Sequence, residues 1–308
     1  MPQFLCKKPA SGKMSEGKEL REEDDAMKIL TLNTYSWVEN VGEQQIHDLA
    51  AKIAEEDYDL VALQEANQTF DAHQAVLDGF FCPPTTDQEI KADNFALRLV
   101  EALQVKDVEY YWTWAFTHVS YGRFEEGVAL LSKQPLIAED HSVAPVAASD
   151  PVKDNVRRIL WGLTEADGQL VKLVSTHYNW WDRGFIDEWQ KTEALLQASN
   201  QGHTKAPLIL CGDFNQPAET AGYQLIADSA LNLVDAYQIA ETHRGGTATI
   251  PGAINGWNNS DTPKRIDYIW LDPTFKVSEY AITFDGENGP VVSDHFGITV
   301  LAELAESK

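Results

Sequence analysis

Apolar residues recur along this chain in two rhythms. Ile46, Leu49, Ala50 and Ile53 repeat every three to four positions, as do Ala96, Leu99, Val100 and Leu103, which places each set on one face of a helix. Residues 28–32 and 59–63 are instead short continuous runs, and similar runs at 127–132, 156–163, 170–176, 207–211, 266–271 and 296–302 predict strands. Several of these runs follow one another with no helical stretch between, which predicts mixed or antiparallel sheets. Asp187 and Gln190 have the spacing of a capping box and predict a helix from there to about Ser199. No internal repeat or Pro/Gly-rich linker divides the chain, so the pattern predicts one α/β domain over residues 27–308.

Residues 1–26 break the pattern. They are polar, end in Glu22-Glu23-Asp24-Asp25, and lack the apolar segment of a secretory signal. We read them as a disordered N-terminal extension or an artefact of expression, with Met27 a natural beginning.

Charge changes the picture more than composition does. The chain carries 48 acidic against 24 basic residues, a formal net charge of −24. Through Met27 there are five basic and six acidic residues, so the excess belongs to the folded part. Such a field repels long polyanions and disfavours indiscriminate nucleic-acid binding, while leaving room for a local cationic pocket. No apolar run approaches the roughly 18 residues that a membrane span needs. Cys6, Cys82 and Cys211 are sparse and lack metal-type spacing. They read as free thiols in a reducing compartment, so we expect a cytoplasmic protein. Cys211 sits in an apolar run and reads as a core residue.

The chemistry-bearing residues follow the strand-like runs. Asn33 follows residues 29–32, Glu65 follows 60–64, and His177 follows 171–176. Asp213 and Asn215 follow 208–212, Asp267 lies in Arg265-Ile266-Asp267-Tyr268-Ile269, and Asp294-His295 precede the final run. Each alone reads as a turn residue, a cap or a solvated charge. Strand ends, however, are where a rigid scaffold holds polar groups around a cleft, and here six such ends occur in one chain.

Together the segments LTLN, ALQE, STHYN, GDFN, RIDYI and SDHFG, over residues 28–303, resemble the endonuclease/exonuclease/phosphatase superfamily. That group includes deoxyribonuclease I, exonuclease III, the inositol-polyphosphate 5-phosphatases and the neutral sphingomyelinases. The resemblance implies a four-layer α/β/β/α sandwich of two mixed sheets with the site at one edge. It implies that Glu65, with Asn33 and nearby Asp294, holds Mg²⁺, with Mn²⁺ as a substitute, a role suited to hard oxygen donors. It implies further that Asp213 orients or deprotonates water and that Asn215 donates to phosphoryl oxygens. His177 and His295 would stabilise the transition state, and Asp267 would orient His295. Tyr35 stands where abasic-site nucleases often carry an acid, and His177 where they carry Tyr, so the sequence leans away from that branch.

Aromatic residues indicate the substrate. Trp180, Trp181 and Trp189 fall within ten residues just after His177, and Trp257 lies in the Gly/Asn-rich stretch that includes Asn255, Asn258 and Asn259. Trp189, Trp112, Trp114 and Trp161 read as core, whereas Trp257 and one or both of Trp180 and Trp181 read as a rim that stacks on a ring. Asn179, Arg183 and Arg265 join the expected substrate-binding set, with Arg157, Arg158 and Lys264 as further cations. The wider string LNTYSW…STHYNWWDRGF…RIDYIW is similar to the maltose 6'-phosphate phosphatase-like subgroup of Gram-positive bacteria. The expectation is a Mg²⁺-dependent phosphomonoesterase acting on a small sugar phosphate. The alternative is a phosphodiesterase of the nuclease or sphingomyelinase kind, and the sequence leaves the oligomeric state open.

Overall fold

The computed structural model describes residues 26–38, 42–145, 150, 156–201, 205–258 and 260–305. Of the expected N-terminal extension only Ala26 is among them, and Asn259 lies outside them. One sheet holds β1 (Met27–Asn33), β2 (Leu60–Gln64), β3 (Gln68–Thr69), β4 (Tyr111–Ser120), β5 (Phe124–Ser132), β11 (Ala240–Arg244), β13 (Phe275–Thr283) and β14 (Gly297–Leu304). The other holds β6 (Ile137–Ser142), β7 (Arg158–Ala166), β8 (Gln169–His177), β9 (Leu208–Asp213), β10 (Val234–Asp235) and β12 (Asp267–Leu271). Both sheets are mixed: β1–β2, β11–β13 and β8–β9 pair parallel, and the remaining pairs are antiparallel.

Successive strand side chains point to opposite faces, and here both faces are covered. In β1, Ile29 joins the core between the sheets while Leu30 and Leu32 join the core under α1 (Gly42–Glu56) and α2 (Phe95–Gln104). In β9, Ile209 and Cys211 face the first sheet, and Leu208 and Leu210 face α3 (Phe185–Ser199) and α4 (Ala221–Ala227). Burial on both sides is why these strands read as unbroken apolar runs. The result is the four-layer sandwich expected. A short α5 (Ala236–Ile239) caps one side.

Two polar struts cross the inter-sheet core near its functional end. Gln64 Nε2 donates to Ser175 Oγ at 3.0 Å, and Ser175 Oγ donates to the Leu63 carbonyl at 2.9 Å. Each satisfies a group whose burial alone would cost stability.

The helix after His177 starts earlier than the capping box predicts. A 3₁₀ turn at Trp181–Arg183 leads to Gly184, whose φ of 109° suits glycine, and α3 begins at Phe185. Asp187 is therefore an acid within the first turn rather than the cap. Packing decides the boundary, because Phe185 is fully buried with its ring edge-on to Tyr178 at 5.6 Å.

Candidate active site

Strand register brings the polar ends together. Asn33 ends β1 beside Gln64 in the parallel pair, and Glu65 follows directly. His177 and Asp213 end β8 and β9 in register, and Asp267 begins the antiparallel β12 opposite Asp213. Asp294 and His295 precede β14, which pairs with β1. All converge on one edge of the sandwich, at a cleft of about 890 Å³. Glu65, Asn215 and Tyr35 take φ of 49°, 51° and 45°, a region unfavourable to residues with a Cβ and tolerated where tertiary contacts enforce it.

Asn33 bridges the sheets. Its Nδ2 donates to Glu65 Oε1 at 2.9 Å and to Asp213 Oδ2 at 3.1 Å. In this arrangement it links the two carboxylates, while its Oδ1 accepts from the Tyr35 N–H at 3.1 Å. His295 Nδ1 lies 2.9 Å from Asp267 Oδ2, and its Nε2 lies 3.8 Å from Asp213 Oδ2. Burial opposes the imidazolium, but Asp267, Asp213 and Asp294 outweigh it and raise His295 to about 10. Burial and then Asp267 push Asp213 up to about 7.

Burial, then the charges of Glu126 and Asp294, push Glu65 up to about 8. Burial also raises Asp294. Buried carboxylates close enough to raise Glu65 in this way, offering only hard oxygen donors, fit a divalent cation of the Mg²⁺ or Mn²⁺ kind. Asp213, Asp267 and His295 also bring ligand atoms within 4.8 Å of one another. Within that trio His295 Nδ1 is already bonded to Asp267, which makes it a hydrogen-bonded relay.

The sequence reading missed Glu126. It belongs to the Glu125-Glu126 pair of β5, where strand alternation turns Glu125 toward Gln68 and Glu126 into the cleft. Arg157 Nη1 lies 3.1 Å from Glu126 Oε1, His177 Nδ1 lies 3.4 Å from the same oxygen, and His118 Nε2 lies 3.8 Å from Oε2. Burial works against the Glu126 carboxylate, yet His118, His177 and Arg157 hold it below the usual range. Burial, followed by Arg157, pushes His177 down to about 3, so its imidazole is neutral near pH 7.

At the rim, Trp180 and Trp257 line the cleft, with Arg183 Cζ 5.1 Å from the Trp180 ring centre and Lys264 Nζ 5.8 Å from that of Trp257. Trp181 is 44% exposed and lines an adjoining groove of about 340 Å³ with Trp180, Trp257 and Pro217. The four tryptophans read as core, Trp112, Trp114, Trp161 and Trp189, are buried.

Two expected substrate-binding residues point elsewhere. Arg265 is buried, bonded through Nη1 to Asp235 Oδ2 at 2.6 Å and stacked 4.6 Å from the ring centre of Tyr237. Its neighbour Lys264 reaches the cleft instead, since adjacent residues of an extended segment face opposite ways. The same parity sends Arg157 to the cleft and Arg158 to Asp140. Asn179 is buried, accepting from Arg157 Nε at 3.3 Å and donating through Nδ2 to Glu188 Oε1 at 2.6 Å.

Two face-packed mixed sheets with carboxylates, imidazoles and an amide gathered at one edge define a phosphoester hydrolase. The model of the endonuclease/exonuclease/phosphatase family matches residues 40–295. The chain belongs to that family. It is 32% identical to an endonuclease/exonuclease/phosphatase family protein from Leptotrichia buccalis, over 91% of this chain and 100% of that one, with a TM-score of 0.76. A Bacteroides thetaiotaomicron mannosyl-6-phosphatase shares the fold at 16% identity and TM-score 0.63, covering 90% of this chain and 100% of that one. So does the human Nocturnin catalytic domain with a bound sulfate anion, at 19% and 0.62, covering 91% and 94%. A search of curated proteins found no match. Among the described residues no helix is long and apolar enough to cross a membrane.

Proposed function

We propose that the protein is a Mg²⁺-dependent phosphomonoesterase acting on a sugar phosphate, a disaccharide phosphate such as maltose 6'-phosphate being the reference substrate. The observation that carries this reading is the composition of the cleft. The Asp213–His295–Asp267 group and Glu65 face a pocket whose rim is two indoles and two cations. Indole faces suit sugar rings, and Arg183 and Lys264 suit a compact dianion better than a long polyanion repelled by the net charge of −24. Likeness of fold to a mannosyl-6-phosphatase agrees with it. The sparse, buried cysteines Cys82 and Cys211 suit a reducing, cytoplasmic setting.

A cation at Glu65 and Asp294 would supply Lewis-acid polarisation of the phosphoryl group and neutralise charge on the leaving oxygen. The chain's own groups do the rest. Asp213, poised near neutral pH, takes the proton of the attacking water. The His295 imidazolium, held by Asp267, donates from Nε2 to a phosphoryl oxygen as charge builds there. Asn215 spends one N–H on the Tyr178 carbonyl at 2.9 Å, and its other, 3.3 Å from His177 Nε2, is the one left for a phosphoryl oxygen. Arrival of the dianion favours protonation of His177, turning that imidazole into a second donor.

The test is steady-state kinetics across a panel of sugar phosphates and small phosphoesters. Trp180→Ala is expected to raise KM for a disaccharide phosphate about tenfold while leaving that for glycerol phosphate within about twofold. Equal effects on both esters would count against ring stacking at the rim.

A further inference from the structure

The loop that carries Gly256 and Trp257 does more than wall the cleft. Trp257 Nε1 donates to Asn215 Oδ1 at 3.1 Å. An indole nitrogen only donates and a backbone carbonyl only accepts. With Trp257 on one side of the Asn215 amide and the Tyr178 carbonyl on the other, only one sense of the amide satisfies both. That sense aims Nδ2 toward His177 Nε2. The Asn215 backbone is held in its left-handed conformation by its N–H bond to Asp213 Oδ1 at 2.9 Å, so Trp257 is the loop's grip on an amide already anchored to the strand ends.

The loop is itself seated against the cleft. Gly256, at φ +83°, packs so closely on Trp180 that a Cβ there would lie 2.4 Å from the indole. Asn255 Nδ2 donates to the Tyr121 hydroxyl on the connection between β4 and β5, in the other sheet. The Trp257 side chain lines both the main cleft and the adjoining groove.

We propose that Trp257 is a positioning residue that couples occupation of the groove by the leaving group to the setting of the Asn215 amide. The groove takes a second, uncharged ring attached to the phosphorylated one. A ring seated against Trp257 holds the loop down and keeps the Asn215 N–H aimed at the phosphoryl oxygen, so binding energy remote from phosphorus appears in kcat. The part concerning the leaving group rests on the phosphomonoesterase reading; the indole–amide link does not.

The experiment compares Trp257→Phe and Trp257→Ala, each alone and with Asn215→Ala, in the full chain with Mg²⁺. Hydrolysis of a disaccharide phosphate and of glycerol phosphate is measured beside calorimetric binding of inorganic phosphate, with circular dichroism to confirm the fold. Trp257→Phe keeps a ring and loses the N–H, and is expected to lower kcat on both esters about five- to tenfold and weaken phosphate binding similarly. The KM of the two esters changes by the same factor, whereas Trp257→Ala raises that of the disaccharide phosphate about tenfold further. In the Asn215→Ala background, Trp257→Phe changes phosphate affinity by less than about twofold. A Trp257→Phe protein with wild-type kcat and phosphate affinity, or additive effects in the double variant, overturns the proposal. Non-additive phosphate binding by a wild type that hydrolyses neither ester upholds the indole–amide link and removes the leaving-group role together with the phosphomonoesterase reading.

Discussion

At the scale of single residues, the site is governed by two carboxylate–imidazole contacts of opposite sense. Asp267 and its neighbours hold a proton on His295, while burial and Arg157 keep His177 neutral. The His295 interaction stabilises the fold fully below about pH 6.5 and is lost as pH climbs through about 10, because its folded pKa is the raised one. The alkaline limb of the pH–rate profile is therefore expected near pH 10. Asp267→Asn removes the carboxylate that retains the proton, so that limb moves to lower pH; a profile recorded on the variant checks this, and an unmoved limb would sink the assignment. Asp213→Asn is expected to lower kcat about 10²- to 10⁴-fold with the fold intact, as removal of a general base does. Asn33, Glu65, Asp213, Asn215, Asp267 and His295 were legible in the sequence because each follows or borders an apolar run. Glu126 was not, since an acid in Glu125-Glu126 carries no local sign of which way it points. Arg265 misled for the same reason: adjacency in sequence to Lys264 says nothing about which of the two faces the cleft.

At the scale of elements, the register of β8 and β9 matters most. Gly212 lies one residue before Asp213, and a Cβ there would sit 2.1 Å from the Thr176 carbonyl oxygen of the paired strand. Backbone cannot yield as a flexible side chain does, so Gly212→Ala is expected to displace Asp213, abolish turnover and lower stability by about 1–3 kcal/mol. Denaturant unfolding and kinetics on one preparation check both parts; full activity would show that the strands can part without moving the carboxylate. Trp189 on α3 tests the outer layer. It is 1% exposed among Tyr178 and Phe214, and Trp189→Ala is expected to cost about 3–5 kcal/mol in the same assay. The apolar rhythms placed α1, α2 and the long strands, because periodicity records burial. They misplaced the start of α3, because Gly184 and the packing of Phe185 act through tertiary contacts that a capping-box spacing does not contain.

At the scale of the molecule, acidity and the cleft act on each other. Glu65, Glu126 and Asp294 meet in a protein already carrying a net charge of −24, so like charges are held together at a cost to stability. Glu65→Gln relieves part of that repulsion and is expected to raise the metal-free Tm by about 2–5 °C. Excess Mg²⁺ is expected to raise the Tm of the wild type and leave that of the variant unmoved. Thermal unfolding with and without the cation checks both, and an equal shift in the two proteins would place the cation elsewhere.

Hydrolysis of a small phosphomonoester is checked by Mg²⁺-dependent phosphate release from sugar phosphates beside nicking of supercoiled plasmid, using one preparation and its Asp213→Asn variant. Selective phosphate release, no nicking, and loss of release in the variant are expected. Efficient nicking without phosphate release would contradict that expectation, and would mean that local cleft geometry overrides the repulsion between an acidic protein and a polyanion.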